Sequence, residues 1–188
     1  APRTFENSKA INLLAIGRLV HKKGFDLLIE AVSELAKSFS LSLNIVGDGQ
    51  ERTTLGNLVK KRNLSDYVRL SGWSDDVGGL LDNADIFVLP SRDEPFGIVC
   101  LEAMARGVPI VATRTQGPRE ILDERSAVLV DVNSSSALEA GIAKSMSSPQ
   151  DTYKLADVAL NLCRENYTPD VVVGQYAELY TRLIQDSR

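Results

Sequence analysis

Short apolar runs alternate with longer segments of helical periodicity along this chain, and that alternation limits its fold more than any other feature. INLLAIG (11–17), SLNIVG (42–47), YVRLSG (67–72), ADIFVLPS (84–91), VPIVAT (108–113) and SAVLVD (126–131) read as strands. Between the first two, residues 24–39 place Phe25, Leu28, Ile29, Val32, Leu35 and Ala36 at helical spacing. Residues 50–64, 75–83, 97–107 and 117–122 are further helix candidates. Residues 135–146, 151–167 and 169–185 close the chain as helices, with Pro169 suited to a first helical turn. About six strands alternating with helices predict an α/β fold: a Rossmann-like, doubly wound, mostly parallel sheet with flanking helices. Apolar runs in place of strict alternation predict strands covered on both faces.

Composition narrows the functional classes. The 188 residues are 44% hydrophobic and 24% charged, as in an ordinary globular domain. No apolar run reaches the ~18 residues a membrane span needs. The start, APRTFENSKA, lacks the apolar core of a signal peptide and has no initiator Met, so a processed protein or an excised piece is expected. Residues 1–10 read as a linker and 11–188 as one domain. A net charge of −4 argues against nucleic acid as a partner. Cys100 and Cys163 sit in apolar patterns and read as free core thiols in a cytoplasmic protein. With one His and two Cys, no metal site is expected.

Three stretches carry chemistry. Residues 17–24, GRLVHKKG, follow a strand and precede a helix, at the sheet's carboxyl end where such folds bind ligands. Arg18, Lys22 and Lys23 there suit a phosphate or diphosphate beside a helix N-terminus, or else form a basic surface loop. The stretch is not a Walker A loop. The absence of G-x-G-x-x-G after the first strand also argues against a nicotinamide-dependent oxidoreductase. Gly47-Asp48-Gly49 is a tight turn or a place where a ligand nears the backbone. In SRDEPFGIVCLE (91–102), Gly97 is expected to begin a helix whose free N–H groups reach a phosphate. Glu94 lies in the loop before it and Glu102 in its second turn. The ~1.5 Å rise per helical residue separates the two carboxylates. A retaining glycosidase pair stands only ~5–5.5 Å apart. Two clamps on different parts of one ligand therefore fit better than an acid/base pair, while Glu102 as a plain solvent-facing residue remains open.

Taken in order, these motifs resemble a known family. Gly17-Arg18…Lys23-Gly24, Gly47-Asp48-Gly49, Glu94-Pro95-Phe96-Gly97…Glu102-Ala103, Gly107-x-Pro109 and Gly117-Pro118-x-Glu120 resemble the C-terminal domain of GT-B glycosyltransferases. The match is to the retaining family 4, also called glycosyl transferases group 1, over about residues 10 to 184. Glu94 and Glu102 match its E-x7-E motif. Gln116 stands where the family often has a first glycine, which leaves the shape of that loop to the structure.

The resemblance implies a donor-binding half of a two-domain enzyme. A hexose would pass from an NDP-sugar (UDP- or GDP-linked) to a glycan, lipid or other acceptor. Arg18 and Lys23 would hold the diphosphate and, with Glu94, form the catalytic set. The backbone of Phe96, Gly97, Ile98 and Val99 would cradle the distal phosphate. Glu102 would bind the ribose and Glu94 the transferred sugar. Gly47, Trp73 and Asp75 complete the donor-binding set, the last two in the Ser71–Asp75 stretch that meets the base. No cofactor is implied. Without a D-x-D motif, metal independence is expected, the cations and helix N-terminus taking up the leaving group's charge. The implied partner is an N-terminal acceptor-binding domain, without which the chain would be nearly inactive. The last helix, with Tyr167, Tyr176, Leu179 and Tyr180, would return toward it. His21 matches no catalytic role and reads as a surface residue. The expected location is the cytoplasm, with peripheral association of the full enzyme with the cytoplasmic face of a membrane left open. The alternative is a non-catalytic nucleotide-binding or partner module of the same fold.

Overall fold

A computed structural model describes residues 10–186. The expected linker, Ala10 apart, lies outside the described residues. Six strands form one sheet: β1 (Ile11–Ile16), β2 (Leu41–Val46), β3 (Val68–Gly72), β4 (Ile86–Leu89), β5 (Ile110–Thr113) and β6 (Val128–Val130). The order is β3-β2-β1-β4-β5-β6, and every pairing is parallel. This is the doubly wound Rossmann-like arrangement the alternation predicted.

The helices are α1 (Phe25–Leu35), α2 (Arg52–Lys61), α3 (Val77–Asp82), α4 (Ile98–Ala105), α5 (Gln116–Ile121), α6 (Ser135–Ser147), α7 (Pro149–Asn166) and α8 (Pro169–Asp186). Their starts follow local chemistry. The Asp76 carboxylate accepts the Gly79 N–H at 2.8 Å before α3, and the Ser134 hydroxyl accepts that of Ala137 at 3.0 Å before α6. Pro149 opens α7, where its missing N–H costs nothing.

Two apolar layers sandwich the sheet. On one face Leu13, Leu43, Ile45, Ile86, Val88 and Val111 pack under α1, α2 and α6. On the other, Leu14, Phe87, Leu89, Ile110 and Ala112 pack under α3, α4, α5 and α7. Each such side chain contributes roughly 1.5–3 kcal/mol on burial. All four residues of β4 and all four of β5 are buried, as strands covered on both faces require.

The expectation of two covered faces fails at β2 and β3, whose residues alternate buried with more exposed ones. The outward-facing row is polar: the Ser42 hydroxyl donates to Asn12 Oδ1 at 2.9 Å and the Ser71 hydroxyl to Asn44 Oδ1 at 2.5 Å. The alternation Leu41-Ser42-Leu43-Asn44-Ile45 carried the signal. Cys100 and Cys163 are free and buried, as expected.

Candidate functional site

Strand order creates the site. β1 and β4 are neighbours although residues 17–85 separate them in sequence, and the chain winds outward from this pair in opposite directions. At such a switch point the loops leaving the two strands diverge and open a crevice at their carboxyl ends. The loop after β1 carries Arg18, Lys22 and Lys23, and the loop after β4 carries Glu94. They face each other across a cleft of about 370 Å³ lined by Ile16, Gly17, Arg18, Lys22, Lys23, Leu89, Glu94 and the Pro95–Val99 segment.

Lys23 and Glu94 meet directly, the Lys23 ammonium donating to Glu94 Oε2. Both are largely withdrawn from solvent, and Glu94 as a whole is only 8% exposed. Arg18 and His21 are exposed; Lys22 and Lys23 are intermediate.

The Glu94 loop is fastened from two more sides. The Thr113 hydroxyl donates to the Ser91 carbonyl at 2.6 Å, and the Gly117 N–H donates to the Glu94 carbonyl at 2.9 Å. Gly117 lies so close to Phe96 that a Cβ there would stand 2.4 Å from the Phe96 backbone. The loop that Gln116 left open in sequence thus depends on Gly117 for space. Gln116 itself is exposed, with its side-chain amide on Glu120 at 3.3 Å.

Helix α4 starts one residue later than expected, at Ile98, with Gly97 as its cap. Gly97 has φ 88°, a left-handed backbone that a side chain would strain. No side chain caps this end, so the first N–H groups of α4 point along the cleft with the helix's partial positive charge. Ile98, 64% exposed, lines the cleft, and Glu102 lies four residues on, on the same face of α4 and half-buried. Behind this helix start lies Cys100, whose thiol is pushed up to about 12 by burial, with the Glu94 charge adding to the shift.

The structure thus brings Arg18, Lys23, Glu94, Phe96, Gly97, Ile98 and Val99 to one cleft. Gly47, Trp73, Asp75 and Glu102 are not in its lining. Gly47 directly follows β2, donates its N–H to the Gly72 carbonyl at 2.7 Å and packs on the Gly17 carbonyl, backing the loop after β1. Trp73 and Asp75 follow β3, two strands out from β1. The Trp73 indole N–H donates to Asp75 Oδ1 at 3.0 Å, and its ring is 75% exposed.

Asp26 and Arg92 were not singled out in the sequence. They form a bidentate ion pair beside the cleft, at 2.7 Å for each bond. Being 66 residues apart, they leave no local pattern that could have revealed them.

No described helix is long and apolar enough to cross a membrane. Tyr167 is not on the last helix but caps the end of α7, its hydroxyl donating to the Glu120 carbonyl at 3.4 Å. On α8, Val173, Tyr176, Leu179, Tyr180, Leu183 and Ile184 are all exposed.

The family model described as "Glycosyl transferases group 1" matches residues 2–159. The lipopolysaccharide core biosynthesis glycosyltransferase LpsD of Rhizobium meliloti is 33% identical over 92% of the chain and 50% of its own length. The chain spans about half the length of the curated relatives it matches. The sucrose-phosphate synthase of Thermosynechococcus elongatus superposes with a TM-score of 0.85 at 26% identity, over 94% of this chain and 46% of that one. The C-terminal domain of a glycosyl transferase group 1 protein, LpcC of Francisella tularensis, superposes with a TM-score of 0.76 at 24% identity, over 86% of this chain and 88% of that one.

Proposed function

The chain belongs to the glycosyl transferases group 1 family, and from that premise we propose that it is the donor-binding half of a retaining, NDP-sugar-dependent glycosyltransferase. One observation carries the reading. Three cationic side chains, an uncapped helix N-terminus and a buried carboxylate converge on one cleft at the sheet's switch point.

A nucleoside diphosphate sugar has a diphosphate to match the cations and sugar hydroxyls to match the carboxylates. Arg18, Lys23 and the N–H groups at the start of α4 hold the diphosphate. Glu94 accepts from hydroxyls of the transferred sugar, and Glu102, farther along α4, from those of the ribose. The loop from Ser71 to Asp75, with Gly47 behind it, faces the base side. In the transfer, the bond between the sugar's anomeric carbon and the diphosphate oxygen breaks, and its electron pair leaves with the nucleoside diphosphate. The acceptor oxygen bonds to that carbon and its proton passes to the departing diphosphate oxygen. Lys23, Arg18 and the α4 N-terminus stabilise the growing negative charge where it forms, so a divalent cation is not required.

The acceptor site belongs to an N-terminal domain, whose length corresponds to the half of the relatives this chain does not span. The exposed apolar residues of α8 provide a surface for it. Alone, this chain binds donor and transfers little. The cytoplasm is the proposed location.

The test is a calorimetric titration with UDP, GDP and ADP and their sugars, repeated in EDTA. UDP goes first because a structure of similar fold, Anabaena Alr3699/HepE, holds UDP and glucose. Binding of at least one nucleotide, unchanged by EDTA, is expected. No binding of any at millimolar concentration refutes the reading.

A further inference from the structure

The turn that presents Lys22 and Lys23 does little to hold itself in place. It is a three-residue 3-10 segment, His21–Lys23, without a side-chain cap, and such short segments hold their shape weakly. Beyond its own turn bonds, from the Lys23 N–H to the Val20 carbonyl at 2.9 Å and from the Gly24 N–H to the His21 carbonyl at 3.1 Å, its fastening comes from the loop after β4. The Arg92 guanidinium grips Asp26, in the first turn of α1, through two parallel bonds of 2.7 Å. The same guanidinium donates to the His21 carbonyl at 2.9 Å. The Arg92 backbone N–H donates to the Lys22 carbonyl at 2.8 Å, and that of Asp93 adds a 3.2 Å bond to the same oxygen. Neither Arg92 nor Asp26 lines the cleft. The Arg92 side chain is only 16% exposed, so this charge-assisted pair is partly shielded from water.

We propose that Arg92, clamped on Asp26, is a positioning residue that holds the Lys22–Lys23 turn against the Glu94 loop and so sets the affinity of the cleft for a diphosphate. The inference rests on the reading of this cleft as a nucleoside diphosphate site. Only a guanidinium serves in this place. Its planar fork meets both Asp26 oxygens and still reaches the His21 carbonyl, whereas a lysine ammonium cannot make that pair of parallel bonds. A turn free to drift carries Lys23 away from the phosphate, and small misplacements of charged groups weaken binding steeply.

The experiment compares the wild-type chain with Arg92→Lys, Asp26→Asn and the double variant. UDP, GDP and ADP and their monophosphates are titrated by calorimetry, and circular dichroism checks the fold. Each single variant should lose about fivefold in affinity for the best-binding diphosphate. The double variant should lose no more than either single one, because both break one clamp. The monophosphate, with less charge for the turn to hold, should lose less than about twofold. Equal losses for diphosphate and monophosphate, or unchanged diphosphate affinity in Arg92→Lys beside a lowered unfolding midpoint, would mean that the pair only stabilises the fold. Asp26→Asn, which keeps the side-chain shape, carries the same test if Arg92→Lys does not fold. A wild-type chain that binds no nucleotide removes the nucleotide reading and this proposal with it. A wild-type chain that binds while Arg92→Lys binds equally well removes the positioning role alone.

Discussion

Lys23 and Glu94, 71 positions apart in sequence, form an ion pair across the cleft between the loops that leave β1 and β4. Each is proposed to grip the donor, and each holds the other. Replacing one therefore does two things. Lys23→Met should lower affinity for a nucleoside diphosphate by about tenfold or more. It should also cost about 1–3 kcal/mol of stability, because it leaves the buried Glu94 carboxylate without its cation. Adding Glu94→Gln should recover stability and leave binding weak. Chemical denaturation and calorimetry on the same samples separate the two effects.

Glu102 is expected to act on the ligand and not on the fold. It is half-buried on α4, beyond Ile98 and outside the cleft lining. Glu102→Gln should weaken nucleotide binding about three- to tenfold with no change in unfolding midpoint. Equal affinity would make it an ordinary solvent-facing helix residue.

Gly117 gives the Glu94 loop room. A Cβ there would stand 2.4 Å from the Phe96 backbone, which belongs to a fastened segment that cannot easily yield. Gly117→Ala should destabilise by about 1–3 kcal/mol, whereas Gln116→Ala, on the exposed neighbour, should stay within about 0.5 kcal/mol. Urea unfolding of the two variants checks the contrast.

Asp26 predicts a pH dependence. Burial alone would raise its pKa, but the Arg92 hydrogen bond and charge outweigh burial and hold the carboxyl below its ordinary 3.8. The folded state thus favours the ionised form. The contribution is present above about pH 4, where an unfolded-chain carboxyl is ionised, and is lost as pH falls below 3.8 through the folded value. The stability gap between wild type and Asp26→Asn should accordingly narrow between pH 7 and pH 3. A constant gap would show that Asp26 does not titrate against Arg92.

Cys100 should be inert in the folded protein. It is fully buried, and its thiol is pushed up to about 12, so almost no thiolate exists at pH 8. Iodoacetamide should leave it unmodified until denaturant is added, as read by mass spectrometry of the peptide that carries it.

Much of this molecule can be read from local pattern. Helical spacing from Phe25 to Leu35 and the apolar run from Ile86 to Leu89 are determined within a few residues, because a side chain's face is set by the backbone period. The ordered motifs at Arg18–Lys23 and Glu94–Glu102 pointed to the family to which the chain belongs. Two things came from tertiary structure alone. The first is the strand order that puts β1 beside β4 and so brings Lys23 to Glu94. The second is the Asp26–Arg92 clamp. The physical reason is shared. Periodicity is written in neighbouring residues, but which strands lie side by side is settled by packing the whole chain around one core, and contacts over about seventy positions exist only once that packing is complete.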